Sequence, residues 1–287
     1  MSTIVLLTAT GLGLAALYFL VAAGLSLVFG LAGVLNFAHG LFLSAGAYAT
    51  WWAAPHWGFG PAVAFGVACA AAVGALVELV LIRPLYRRPT EQVLVTVGLS
   101  LAGVALLQAV WGADPRPYPR PQWTKQVLTV LGARLPADRL LLLGAAVVVL
   151  AGLTAFLRFT RHGLVIRAGV ENRAMVSALG IDVRRSFTLV FAIGGGLAGL
   201  AGSLGGVYFG SVSPGQGASL LIFAFIVVVI GGMGSVAGTA LAAVAVGLVQ
   251  QFVNYYGTGG AGDVCVVALL AIVLLARPHG ISGRVTA

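Results

Sequence analysis

The chain has 287 residues, of which 60% are hydrophobic and 8% charged, with a formal net charge of +9 and a mean hydropathy of +1.06. A soluble domain carries about 25% charged residues, so these proportions exclude a soluble globule, a disordered chain and a disulfide-stapled or collagen-like one. The sixteen basic side chains sit in loops between apolar runs and form no basic domain, so nucleic acid is not an expected partner.

Taken in chain order, apolar stretches run near 4–30, 38–54, 61–82, 92–111, 140–157, 187–210, 219–231, 236–256 and 263–276. They are continuous and do not alternate with period two, which predicts an all-α integral membrane protein, not a β-barrel. The first run has no charged leader ahead of it and is expected to stay as a span. A crossing needs about 20 apolar residues, so 38–54 and 219–231 are short and predict tilted, broken or re-entrant helices covered by protein. The expected architecture is a polytopic helical bundle of about 8–10 spans, one transmembrane domain over 1–287.

Arginines give the orientation. Segments 83–91 and 158–185 and the tail hold eleven of the sixteen basic residues and are expected on the cytoplasmic side. Segment 112–138, with Arg116, Arg120, Lys125 and Arg134, then lies outside, and its Pro-rich run 114–121 predicts a stiff crossing loop. Cys69 and Cys265 lie within apolar runs and read as small fillers.

Glycine is frequent, 41 residues, and in 194–210 it is ordered: Gly195, Gly199, Gly202 and Gly206 recur at helical spacing. One face without side chains lets another helix approach closely. Packing inside one bundle is the favoured reading, a moving contact the sharper one.

Catalytic and ion-coupling chemistry find little support. Gly260-Ala261-Gly262-Asp263 has the look of an intramembrane aspartyl protease signature, but Asp114, Asp138 and Asp182 all fall in loops, so a partner carboxylate is missing. Asp263 reads more simply as a charge at a helix start. Gly231-Gly232-Met233-Gly234-Ser235-Val236-Ala237-Gly238 has no βαβ context for a nucleotide loop and reads as a break between half-helices. Glu78 is the acid clearly inside a span, five residues before Arg83, and reads as a paired structural carboxylate more than a proton relay. No catalytic residue, metal or cofactor is expected, and with so little charge in the spans the energy for transport is expected from another subunit.

Two polar interruptions remain. Asn36-Phe37-Ala38-His39-Gly40 lies within apolar sequence, where Asn and His need partners. A hydrogen-bonded kink and a lining for a substrate route stand equal there. Residues 167–182 predict a short helix ended by Gly180, in the most basic loop, with a docking surface preferred to a solvated helix. The breaks at 33–40 and 231–238 also suggest an internal repeat: at an offset of 198, Gly33, Gly40, Leu43 and Ala45 fall on Gly231, Gly238, Leu241 and Ala243.

Together these segments resemble the permease family of branched-chain amino-acid ATP-binding-cassette importers, of LivH type. The resemblance rests on Gly33 through Gly40, on Glu78 with Arg83-Pro84-Leu85-Tyr86-Arg87, on Arg167-Ala168 through Ala178-Leu179-Gly180-Ile181, on Gly231 through Gly238, and on Arg277-Pro278-His279-Gly280-Ile281. It implies a multi-pass subunit of the bacterial inner membrane that translocates branched-chain amino acids and is not itself an enzyme. It also implies four kinds of neighbour: a LivM-like second permease, two cytoplasmic ATP-binding-cassette ATPases, a periplasmic substrate-binding protein and the lipid bilayer. Under it, 112–138 is periplasmic, and 158–186 is a cytoplasmic loop with a coupling helix that docks an ATPase through Arg167, Ala168, Glu171, Asn172, Ala178, Gly180 and Ile181. Asn36, Phe37, His39 and Gly40, with Gly231, Gly232, Gly234 and Ser235, become the expected route or gate. Urea and short-amide permeases of the same family are the near alternative; a passive small-solute channel is the alternative from another class.

Overall fold

A computed structural model describes residues 2–33, 35–86, 88–130, 133–171, 175–176, 183–277 and 280–282. Among these, ten α-helices account for nearly all regular structure. α1 (Ser2–Ala32) is apolar around its whole circumference, and its residues from Leu14 to Val28 are almost all buried. A helix apolar all round is stable only inside a bundle or membrane, and α1 is the central post. Around it stand α2 (His39–Trp57), α3 (Phe59–Val77), α4 (Pro89–Trp111), α5 (Ala137–Phe159), α6 (Arg161–Glu171), α7 (Val183–Phe209), α8 (Gln216–Gly231), α9 (Val236–Tyr256) and α10 (Ala261–Ala276). α1 packs on α9, α7, α5 and α8, and α2, α3 and α7 form a second tight group.

Among the described residues, six helices are long and apolar enough to cross a membrane: Thr3–Gly30, Phe59–Leu85, Pro89–Trp111, Ala137–Phe159, Arg184–Phe209 and Val236–Tyr256. α8 and α10 are apolar but have 16 residues each, about 24 Å at 1.5 Å per residue, short of the roughly 30 Å hydrocarbon thickness. The expected shortness of 219–231 is therefore real. α4 and α5 are buried over one side only; Leu101 and Val148 are 68% and 70% exposed, as suits surfaces facing lipid.

The two ends of the bundle differ in kind. At one end the 112–136 segment folds back onto the helices. Arg116–Pro117 pairs antiparallel with Ser211–Val212, and Val127–Val130 pairs with Ala133–Pro136. Trp51 Nε1 donates to the Pro117 carbonyl at 3.0 Å, and the Arg139 guanidinium lies 3.4 Å from the Tyr208 ring centroid. The Pro-rich run, expected as a stiff crossing loop, is docked on the helices. α1 begins at this end, beside the Ala133–Pro136 strand. At the other end, α3 runs on through a π-helical turn Glu78–Ile82 and a 3-10 turn Arg83–Leu85, and Glu78 meets Thr188 near the start of α7. Arg83, Arg88, Arg158, Arg161, Arg167, Arg184 and Arg185 gather there, opposite the 112–136 cover.

Both glycine-rich interruptions are breaks between helices. The first separates Ala32 from His39, the second Gly231 from Val236, and each opens on a left-handed glycine: Gly33 at φ 68° and Gly232 at φ 94°. The gaps hold six and four residues, so one fixed offset does not carry both flanks of one break onto the other.

Candidate functional site

The first break is held by its own polar atoms. Asn36 Oδ1 accepts from the Ala38 amide at 3.0 Å, and the Asn36 carbonyl accepts from the His39 amide at 3.2 Å. An Asx-type turn of this kind reverses the chain without backbone strain. The His39 ring is fully buried with Nε2 3.1 Å from the Val21 carbonyl, so His39 faces α1 of its own chain. Asn36 is likewise buried, whereas Phe37 reaches an outer groove between α4 and α8, where its ring lies 5.1 Å from that of Phe225. Asn36 Nδ2 and His39 Nδ1 have no hydrogen-bond partner among the described residues. Gly40 marks a close crossing, since a Cβ there would lie 2.8 Å from the Gly217 carbonyl of α8.

The second break is closed by the chain's own tail. The Ile281 and Ser282 amides donate to the Ile230 and Gly231 carbonyls at 2.8 and 3.2 Å, satisfying acceptors that a helix end leaves open. Gly280, at φ 76°, seats against Gly232: a Cβ at 280 would lie 2.6 Å from the Gly232 nitrogen. Gly234 also has positive φ, 84°, and Ser235 caps α9 by accepting from the Gly238 amide at 3.1 Å. Gly231 itself packs on Gly238 across the turn.

The α7 glycines each meet a different neighbour. Gly195 abuts Ala70, Gly199 abuts Gly66 and Ala70 and lies under Gly46, Gly202 abuts Leu43, and Gly206 receives the Tyr118 ring. All four are packing positions within this bundle, and Tyr118, buried there, has its phenol pushed up by loss of water.

Glu78 is paired, as the sequence suggested. Its carboxylate accepts from Arg83 Nε at 3.3 Å, from Thr188 Oγ1 at 2.7 Å and from the Tyr86 hydroxyl. The cluster ties the end of α3 to the start of α7.

The predicted docking segment is only partly within the described residues. Its described helix is α6, which starts at Arg161, six residues before the expected Arg167. The reason is a cap missed in the sequence: Thr160 is extended and its Oγ1 accepts from the Gly163 amide at 2.9 Å. Arg167 is exposed and Ala168 packs on the core near the end of this helix, whose last residue is Glu171. Asn172, Ala178, Gly180 and Ile181 lie outside the described residues. On the same side Phe159, Leu164 and Met175 are exposed apolar residues among arginines 158, 161 and 167.

One site went unread in the sequence. At the end covered by 112–136, a cavity of about 610 Å³ opens between α1, α7, α8, α9 and α10. Its wall carries a relay that runs from buried side chains to an exposed one: the Tyr18 hydroxyl donates to Gln250 Oε1 at 2.7 Å, and Gln250 Nε2 donates to Asp263 Oδ1 at 2.6 Å. Its floor is the stacked pair Tyr18–Phe223, with ring centroids 5.1 Å apart. Tyr18 and Gln250 are 232 residues apart, and no sequence pattern pairs them. The single available signal was Asp263, an acid in the first turn of an otherwise apolar helix.

Comparison with known proteins decides the family. The profile of the family described as "Branched-chain amino acid transport system / permease component" matches residues 7–276. The chain belongs to this permease family. It is 30% identical over 288 aligned positions to the high-affinity branched-chain amino acid transport system permease protein LivH of Escherichia coli (strain K12), covering 96% of this chain and 94% of that one. It is also 30% identical to the corresponding permease protein BraD of Pseudomonas aeruginosa, with the same coverage. A probable branched-chain amino acid transport permease protein LivH of Methanocaldococcus jannaschii matches at 29% over 48% of the chain. No solved structure matches the chain.

The permease segments that carried the resemblance now have distinct physical duties. Asn36–Gly40 makes a self-bonded turn, the glycines of 231–238 with the Gly280–Ser282 tail close a helix end, and Glu78 with Arg83 and Tyr86 locks α3 to α7. The cavity owes nothing to these segments; five helices and the chain at Pro115 and 211–215 line it.

Proposed function

We propose that this permease is the membrane-spanning subunit of an ATP-driven importer for branched-chain amino acids. The likeness over 96% of the chain to permeases of high-affinity branched-chain amino acid systems is the observation that carries this reading. The arginine-rich end faces the cytoplasm of a bacterial inner membrane, by the rule that basic loops stay inside, and the 112–136 cover faces the periplasm. A LivM-like permease completes the pathway, two separate ATPases supply the energy, and a periplasmic binding protein delivers the substrate. The permease has one lysine, Lys125 in the outer segment, and no G-x-x-x-x-G-K-[ST] phosphate loop, so ATP hydrolysis resides in its partners.

An ATPase docks on the end of α6 and the residues that follow, Arg167, Ala168, Glu171, Asn172, Ala178, Gly180 and Ile181. Exposed Leu164 and Met175 beside arginines support a surface of mixed apolar and cationic contact. In this reading Phe37 meets the second permease along the groove it shares with Phe225, while Asn36, His39 and Gly40, with Gly231, Gly232, Gly234 and Ser235, form the breaks about which the half-helices shift.

The test is reconstitution in liposomes with both permeases, the ATPases and the binding protein. Leucine should accumulate only with ATP inside and all subunits present. Leucine flux through the permeases without ATP would instead mark a passive channel, and ATP-driven uptake of urea but not leucine would mark the amide branch.

A further inference from the structure

We propose that the cavity walled by Tyr18, Gln250 and Asp263 is a transient binding site for the amino-acid zwitterion at the outer mouth of the permease, with Asp263 as the partner of the substrate ammonium. This deepens the proposed function and rests on it.

The electrical character of the cavity is the first argument. In a chain of net charge +9, Asp263 is the single charged side chain among the described residues that line it. The lining itself is thus anionic in a cationic protein, with the Arg139 guanidinium set against the ring of Tyr208, and the exposed carboxylate suits a cationic group. Asp263 is itself exposed, and one of its oxygens is held by Gln250 while Gln250 is held by Tyr18. That relay fixes the carboxylate direction, which is what an orienting group needs.

Size and lining are the second argument. About 610 Å³ lies within the range typical of small-ligand sites. Leu14, Leu220 and Phe223 supply an apolar wall for a branched aliphatic side chain, and the hydroxyls of Ser211 and Ser213 line the mouth. One carboxylate open to water is a weak trap, and weak binding suits a route from which the substrate must leave again. The floor is the Tyr18–Phe223 stack.

Labelling tests this directly. Ser219 is exposed and lines the cavity, so Ser219→Cys, with Cys69 and Cys265 replaced by Ala, reports occupancy through its reaction with a membrane-impermeant maleimide in the assembled importer. Leucine at four times its Kd should slow labelling about fivefold, the factor 1 + [L]/Kd. 4-Methylpentanoate, which lacks the ammonium, should not protect. Asp263→Asn keeps an acceptor for Gln250 but should raise the leucine concentration needed about tenfold or more, and Asp263→Glu should restore part of it. If leucine accumulates in the liposomes yet gives no protection, or 4-methylpentanoate protects equally, or Asp263→Asn protects like the parent, the cavity assignment falls alone. If no leucine accumulates, the substrate reading falls and takes the assignment with it.

Discussion

His39 Nε2 lies 3.1 Å from the carbonyl oxygen of Val21, joining the first residue of α2 to the middle of α1. The Val21 carbonyl sits within α1 and already serves an intrahelical bond, so the ring takes its second lone pair. Gly24 leaves the space for that ring, for a Cβ there would lie 3.0 Å from His39 Cε1. His39→Ala is therefore expected to destabilise the permease by about 2–4 kcal/mol, from one lost hydrogen bond and an unfilled buried volume. A melting curve of the purified protein in detergent checks this; an unchanged midpoint would mean that the ring does not hold the break.

Glu78 offers a sharper contrast between two substitutions. Its side chain is fully buried while that of Arg83 is 35% exposed, so the pair is partly screened and its loss costs less than that of a fully buried pair. Glu78→Ala strips the acceptor from Arg83, Tyr86 and Thr188 at once and should cost about 2–3 kcal/mol. Glu78→Gln keeps an oxygen for Thr188 and should cost roughly half as much. Loosening of the α3–α7 contact would appear as faster amide exchange in the π-helical turn 78–82.

Sequence patterning carried the helices and their breaks well, because apolar runs and glycine punctuation act locally. The spacing of the α7 glycines was visible for the same reason, though the neighbour that each one meets, Ala70, Gly66, Leu43 or Tyr118, was not. The start of α6 was hidden because Thr160 caps it from within a basic stretch that read as loop. The Tyr18–Gln250–Asp263 relay was invisible because Tyr18 on α1 meets Gln250 on α9, 232 residues on. Nothing in the sequence of the tail shows its duty; the backbone bonds from Ile281 and Ser282 to α8 give it one.

Glycines of equal appearance should respond oppositely. A Cβ at Gly46 would collide with the Gly199 backbone, and the two helices have no slack there. Gly46→Ala is expected to cost about 1–3 kcal/mol through overpacking and to lower the yield of folded permease. Gly144 and Gly152 on α5 have nothing within 4 Å of an added Cβ, so Ala at either should be neutral or stabilise by about 0.5–1 kcal/mol through helix propensity. Equal melting midpoints for the three variants would contradict this packing.

Removing the tail tests the second break. A chain stopped after residue 279 loses the amides that cover the Ile230 and Gly231 carbonyls. Two acceptors at a helix end then depend on water, and the expected loss is about 1–3 kcal/mol. Gly280→Val should do similar harm with the chain at full length, because φ 76° strains a β-branched residue and its Cβ meets Gly232. Limited proteolysis should then cut near 231–235 in both variants and spare the parent.

The docking surface yields the last expectation. Leu164 is 60% exposed three residues before the exposed Arg167 on α6, and Met175 is 62% exposed. Leu164→Glu adds a charge where the proposed ATPase contact needs burial, and Arg167→Glu reverses a rim charge that would govern encounter. Glu171→Arg and Gly180→Pro alter the segment that follows, where a rigid link must pass on the ATPase motion. All four should leave the permease inserted, since none lies in an apolar run long enough to cross the membrane. Leu164→Glu should abolish co-purification of the ATPases, and Arg167→Glu should weaken it in a salt-dependent way, more at low ionic strength than at high. Glu171→Arg and Gly180→Pro should instead retain some ATPase and lose leucine uptake. Normal uptake in Leu164→Glu and Gly180→Pro together would place the ATPase contact elsewhere on the arginine-rich end.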